Sequence, residues 1–272
     1  MSLRLCSILL SCLLAASASA AKPKAKSAST KTVAPEPAPA VAPAPAEPKP
    51  VAAPEPSAAE VLQKVDAILS PAEFEARLAF VTHKPKGDTR FSMSFLKKGS
   101  RFRSKFLSPP DDAGAEVLRI GDDFWNYLPN LKRALKISAK QEFHGGDFAN
   151  SDVLQLELTR DYLPALAAEA PQDHWLLDLK AKNDEVTYAR IKVAVRKKDS
   201  QPVWMEYFSG SGKLVRRMEL SELRTYGTLV RPTRYVMRNM LETKRYSELV
   251  YEAFSLKANL DEALFDQAAL GR

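Results

Sequence analysis

Three histidines, His83, His144 and His174, are the side chains best suited to proton transfer or metal binding, and their spacing fits neither an HExxH helix nor a local ligand pair. They read as structural or exposed groups. His83 stands beside a turn and His174 precedes the run Trp175 to Leu179. Only His144 sits in a segment dense in polar groups, Glu142-Phe143-His144-Gly145-Gly146-Asp147. Ser209 and Ser211 flank Gly210 much as in a nucleophile elbow, yet the GxSxG spacing is missing and the segment joins two strand-like runs. The pairs Asp111-Asp112 and Asp122-Asp123 fall in turns, where aspartate is favoured for local hydrogen bonding. Neither GxGxxG nor GxxxxGK occurs, so the chain has no glycine-rich phosphate cradle. These residues make no catalytic constellation, and neither a metal nor a cofactor is expected.

Both cysteines, Cys6 and Cys12, lie in an N-terminal segment with the pattern of an export signal. Arg4 supplies a basic start, Leu5 to Ala16 an apolar run, and Ala18-Ser19-Ala20 a small-residue cleavage site. Residues 1–20 are therefore expected to be a signal peptide cleaved after Ala20, which delivers the protein to the periplasm without thiols or disulfides. One alternative is retention as an anchor to the inner membrane, although the apolar run is short for a span. Another is acylation of Cys12 within Leu9-Leu10-Ser11-Cys12, against which stands the apolar run continuing to Ala16. The net charge of +7 is spread over alternating segments and reads as solvated faces. For an exported chain this excess suits anionic lipid head groups better than nucleic acid, which is not expected as a partner.

Residues 21–56 hold ten of the chain's 19 prolines among Ala, Lys, Glu and Val, a composition that cannot bury a core. This linker would reach about 100 Å if fully extended as polyproline II. Folding is expected to begin at Ser57, which can close a capping box with Glu60, ahead of a helix over 58–69 whose Val61, Leu62, Val65, Ile68 and Leu69 share one face. Beyond Pro71 the dominant period is two, with glycine-marked turns at Gly87, Gly99, Gly121 and 210–212. About ten antiparallel strands follow in a meander, too many to lie flat, so the sheet should curl strongly or approach closure. A helical turn capped by Asn259 is expected to pack Leu264 and Phe265 onto it.

The alternating faces are unusually rich in large, adaptable apolar side chains: Leu78, Phe80, Phe91, Met93, Phe95, Phe102, Phe106, Met205, Tyr207, Met218, Leu220 and Met237. Trp125 and Tyr127 alternate on a further strand, with either face open to an interior. Such residues suit a packed core, and methionines equally suit a pocket that adapts to acyl chains.

A longer stretch is more particular. Phe106-Leu107-Ser108-Pro109-Pro110-Asp111, Gly114, Leu118-Arg119, Asp122-Asp123, Trp125-Asn126-Tyr127-Leu128-Pro129, Lys132-Arg133, Ile137-Ser138 and Gly145-Gly146-Asp147-Phe148 with Asp152 run in order. Tyr207-Phe208, Gly227, Arg231-Pro232-Thr233 and Leu264-Phe265 extend the pattern. Together they resemble the outer-membrane lipoprotein-sorting protein family, a LolA-like group of periplasmic carriers, over 57–272. The family's usual Gly-Ser-Asp-Phe departs here to Gly145-Gly146-Asp147-Phe148.

The resemblance implies a mainly β fold, an incompletely closed antiparallel β-barrel covered by helices, and no enzyme activity. It also implies an acyl-chain cavity built from the apolar residues above with Trp125 and Tyr127. The expected lid is the helix bearing Val61, Val65 and Ile68 together with the loop from Pro109 and Pro110 to Gly114. Cargo would be lipoprotein or lipid acyl chains, an inner-membrane lipid transporter is a candidate partner, and a monomer is expected. The rival readings are an envelope module that docks to a membrane complex without carrying cargo, and a lipid hydrolase in which Ser, Asp and His would converge.

Overall fold

The computed structural model describes residues 55–154, 157–257 and 259–272, so the expected signal peptide and the linker up to residue 54 lie outside the described residues. Helix α1 (Ala58–Leu69) opens the fold. Ser57 Oγ accepts from the Glu60 amide at 3.3 Å, and the Glu60 carboxylate accepts from the Ser57 amide at 2.7 Å, closing the predicted box. Its apolar stripe, Val61, Leu62, Val65, Ile68 and Leu69, is buried, as a helical repeat of one face requires. Pro71, two residues on, cannot continue the helix.

Among the described residues, thirteen strands follow in two antiparallel meanders. The first contains β1 (Glu73–His83), β2 (Thr89–Lys98), β3 (Arg101–Ser108), β4 (Glu116–Ile120), β5 (Asp123–Leu128) and β6 (Arg133–Ile137). The second contains β7 (Tyr162–Leu166), β8 (His174–Ala181), β9 (Arg190–Arg196), β10 (Pro202–Phe208), β11 (Leu214–Tyr226), β12 (Leu229–Asn239) and β13 (Tyr246–Leu256). β13 pairs with β1, which joins the meanders into one sheet with β6 and β7 as its unpaired ends. The result is a curled sheet not closed by hydrogen bonds, an incompletely closed barrel as expected.

Because β6 and β7 are opposite edges, the chain between Ile137 and Tyr162 has to pass from one to the other across the open side. This connection holds a 3-10 turn (Phe143–Gly145) and the short helices α2 (Asn150–Leu154) and α3 (Leu158–Asp161). Helix α1 packs against α3, β7 and β12.

The period-two pattern sorts the side chains onto two faces. The inner face, covered by α1 and the connection, supplies the main core. The outer face is wetter, and the C-terminal segment covers Leu118, Trp125 and Tyr127 there with Phe265, Leu270 and Leu260. There the structure corrects the expected cap. Asp261, not Asn259, accepts from the Ala263 amide at 3.0 Å and starts the turn Glu262–Phe265, while Asn259 adopts a left-handed φ of 62°. Phe265 is buried and Leu264 is exposed. The count of about ten strands also fell short: β6 and β7 are short, bury little, and β7 contains Pro164, so their alternation is weak.

Candidate functional site

Twelve of the fourteen apolar candidates converge on the inner face. Leu78, Phe80, Phe91, Met93, Phe95, Phe102, Phe106, Met205, Tyr207, Met218, Leu220 and Met237 are all buried in one cluster that also contains Val61, Val65 and Ile68 of α1. Cross-strand pairs explain the convergence. Leu78 opposes Met93, Phe80 opposes Phe91, Met93 opposes Phe106, and Met205 opposes Met218, which in turn opposes Met237. Trp125 and Tyr127 are elsewhere. They pair with Leu118 and Glu116 on the outer face, beneath the C-terminal segment, so the face that sequence left open is the outer one.

The inner face is roofed twice. One piece is α1, whose apolar stripe is supplemented by two polar anchors. Asp66 accepts from the Leu158 and Thr159 amides at 2.9 and 2.8 Å and from Thr159 Oγ1 at 2.5 Å, fastening α1 to the start of α3. Burial pushes the Asp66 carboxyl above the ordinary aspartate range despite these donors. Arg231, fully buried, donates to the Leu69 carbonyl at 3.3 Å and to Tyr235 Oη at 2.8 Å, with its guanidinium over the rings of Tyr251 and Phe254 at 4.2 and 4.4 Å.

The second piece is the 138–161 connection, which the sequence presented as a polar loop. It drives Phe143 and Phe148, both fully buried, against Phe80 at ring-centroid distances of 5.2 and 5.9 Å. Gly146 makes this possible, because a Cβ there would stand 2.4 Å from Phe80 Cζ and 2.9 Å from Thr82 Oγ1. Asp147 is fully buried, pairs with Arg245 Nε at 2.9 Å and accepts from Ser247 Oγ at 2.8 Å. Asp152 accepts from the Ala149 amide at 2.7 Å and from Tyr188 Oη at 2.8 Å, and burial raises its pKa above the usual carboxylate range. Sequence analysis carried Gly145 to Phe148 and Asp152 only as part of the family pattern and did not reveal their burial against the inner face, for which the Gly145-Gly146 pair set between two phenylalanines was the signal.

The Pro109–Gly114 loop is the β3–β4 turn. Pro109 is half-buried and Pro110 exposed, and the turn closes on itself through the Asp112 and Ala113 amides donating to the Pro109 carbonyl. Its neighbour is His144, held at a φ of 44° against Phe106 and Phe91 at 4.1 and 5.3 Å. Burial lowers the His144 pKa. His83 stacks on Tyr246 and contacts Asp88 at 2.8 Å, and His174 contacts Asp173 at 2.8 Å, so the three histidines stand in three separate settings. Ser209 and Ser211 hydrogen-bond each other at 2.9 Å inside a hairpin turn.

In the first meander, two cations interrupt the apolar floor. Across β1 to β5 one row of opposed residues reads Phe74, Lys97, Phe102, Arg119, Phe124. Lys97 is 4% exposed and Arg119 is 0% exposed. Glu157, just before α3, approaches both, 3.4 Å from Lys97 Nζ and 4.0 Å from Arg119 Nη2. Burial lowers the pKa of both cations, with Glu157 opposing the shift. Next to this region, a cavity of about 320 Å³ opens between the connection and β7 to β10, lined among others by Asp122, Asp152, Arg160, Tyr162, Tyr188 and Tyr207.

The comparisons agree with this architecture. A family model described as "Uncharacterized protein" matches residues 98–272. A LolA superfamily protein from Nitrosomonas europaea superposes with a TM-score of 0.73 at 26% identity, over 79% of this chain and 100% of that one. The chain belongs to a LolA-like family. A putative outer membrane lipoprotein-sorting protein domain from Vibrio parahaemolyticus (TM-score 0.69, 22% identity, 79% of this chain and 98% of that one) shares the LolA-like fold. So does a DUF1329 family protein from Desulfovibrio piger (TM-score 0.71, 19% identity, 78% and 97%). No curated protein matches the chain. Among the described residues, no helix of this LolA-like protein is long and apolar enough to cross a membrane.

Proposed function

We propose that the protein is a periplasmic carrier that takes acyl chains of lipoproteins or lipids on its inner face and helps move them toward the outer membrane. One observation carries the reading: a largely apolar face, rich in Phe and Met, lies beneath two separately anchored covers rather than beneath a second sheet. The twelve inner-face residues are the proposed contacts, and burial of each CH₂ contributes roughly 0.8 kcal/mol to loading. In the closed form these side chains pack against α1, Phe143 and Phe148, so loading displaces a cover and unloading restores it. No covalent chemistry is involved. Export by cleavage after Ala20 makes the protein a soluble monomeric shuttle between an inner-membrane lipid transporter and an acceptor; retention of the signal makes it a tethered one.

The free edge favours a second reading, as a docking module: β7 exposes Leu163 and Leu166, at 57% and 39%. Lipid extracted from protein purified under native conditions, and identified by mass spectrometry, separates the two. Stoichiometric acyl lipid supports the carrier. Lipid-free protein that also fails to bind a fluorescent fatty acid leaves only the docking module.

A further inference from the structure

The row Phe74, Lys97, Phe102, Arg119, Phe124 places two cations between buried aromatic rings in the floor of the first meander's inner face. Neighbouring strands are about 4.8 Å apart, so Lys97 and Arg119, two strands apart, can reach one group between them while the flanking rings accept the chain attached to it. A buried cation is expensive unless it is paired and fully hydrogen-bonded. Lys97 Nζ donates to the Pro71 carbonyl at 3.0 Å, and Arg119 donates from Nε to the Gly121 carbonyl at 2.8 Å and from Nη1 to the Leu154 carbonyl at 3.2 Å. Arg119 Nη2, fully buried, has no hydrogen-bond partner. The carboxylate nearest to it, Glu157, is 4.0 Å away, too far for a hydrogen bond, and is the same group that contacts Lys97.

We infer that Lys97 and Arg119 form a head-group site for an anionic lipid, a carboxylate or phosphate borne on an acyl chain, and that Glu157 occupies it as an internal stand-in until cargo arrives. The inference rests on the carrier reading and refines it, since it selects charged lipids over neutral acyl cargo. Two interactions with structural alternatives are separated by it. The three carbonyl contacts fix the cations in place, whereas the unfilled Nη2 donor and the loosely held Glu157 leave room for a better anion.

The full exported chain is titrated at neutral pH with a fluorescent long-chain fatty acid, with lysophosphatidic acid by competition, and with the uncharged alcohol of the same chain. Both anionic lipids should bind at least about tenfold more tightly than the alcohol, as charge-assisted hydrogen bonds to a buried guanidinium require. The larger of the two ratios names the head group. Arg119→Met should abolish the preference and leave the alcohol unchanged. Because that substitution can also impair folding, Glu157→Gln supplies the opposite readout: with both cations intact and the stand-in neutralised, anion affinity should rise several-fold with no change for the alcohol. Equal binding of acid and alcohol, or a preference untouched by both substitutions, overturns the head-group site while leaving the carrier standing. Failure of all three lipids to bind overturns both.

Discussion

Gly146→Ala isolates the fit of the connection into the inner face. The glycine has an ordinary φ of −93°, so alanine meets no backbone strain and the effect is steric. The new methyl would stand 2.4 Å from Phe80 Cζ and 3.0 Å from Phe80 Cε1, about 1 Å inside an ordinary contact. Phe80 cannot swing away, since Phe91, Phe143 and Phe148 surround it at 6.3, 5.2 and 5.9 Å. Overpacking of this kind costs about 1–3 kcal/mol. If the strain is relieved by undocking the 138–161 connection, the undocked population rises about 5- to 150-fold. Urea unfolding should show the loss in the midpoint without a change in slope, and stopped-flow mixing should show faster uptake of a fluorescent fatty acid. Phe80→Leu removes the offending ring atoms, so the double variant should recover about 1 kcal/mol relative to the sum of the singles. A Gly146→Ala protein within about 0.5 kcal/mol of wild type, with unchanged uptake, refutes the close approach and the covering role built on it.

Further outcomes follow from individual contacts. His144 is held uncharged by burial, so its contribution to stability is complete above the ordinary histidine pKa of about 6.5 and declines as pH falls through that value toward its lowered folded pKa. An NMR titration should find this ring titrating below the ordinary histidine value of about 6.5, and His144→Gln should flatten the fall in stability below that pH. Phe265→Ala opens the outer cluster over Leu118 and Trp125 and should cost about 3 kcal/mol while leaving fatty-acid binding unchanged, because that cluster is not the inner face; loss of binding at unchanged stability contradicts the assignment of faces. Asp66→Ala leaves the Leu158 and Thr159 amides without their acceptor, so hydrogen exchange in α1 and α3 should accelerate about tenfold or more relative to β1, as loss of a capping acceptor requires. Asp66→Asn, which keeps one acceptor, should show less than half of that effect.

What the sequence made legible was what periodicity and local capping control. The box at Ser57 and Glu60, the buried stripe of α1, and the alternation that gathers Met93, Met205, Met218 and Met237 on one face all depend on neighbours a few residues away. The side to which Trp125 and Tyr127 point depends on register against Leu118 and on a C-terminal segment more than 130 residues distant, which alternation alone cannot reveal. The loop after Pro109 drew attention through its prolines, yet prolines mark where a strand stops and say nothing of what the turn covers. The connection was obscured for the opposite reason. Its polar residues Asp147, Asn150 and Asp152 follow no period that marks a buried face, whereas each is buried with a partner contributed by another element or by its own turn. Lys97 and Arg119 were similarly concealed, because a cation within an alternating strand is normally assigned to the wet face.

The central claim is that acyl chains bind the inner face beneath α1 and the 138–161 connection. Irradiating the protein with a photoreactive fatty acid, then mapping the labelled peptides by mass spectrometry, addresses it directly. The account predicts adducts on inner-face strands at or beside Met93, Phe106, Met205 and Met237, reduced by excess unlabelled fatty acid. Adducts confined to the outer face around Trp125 or to the exposed β7 edge at Leu163 and Leu166, with the inner strands unlabelled, would contradict it.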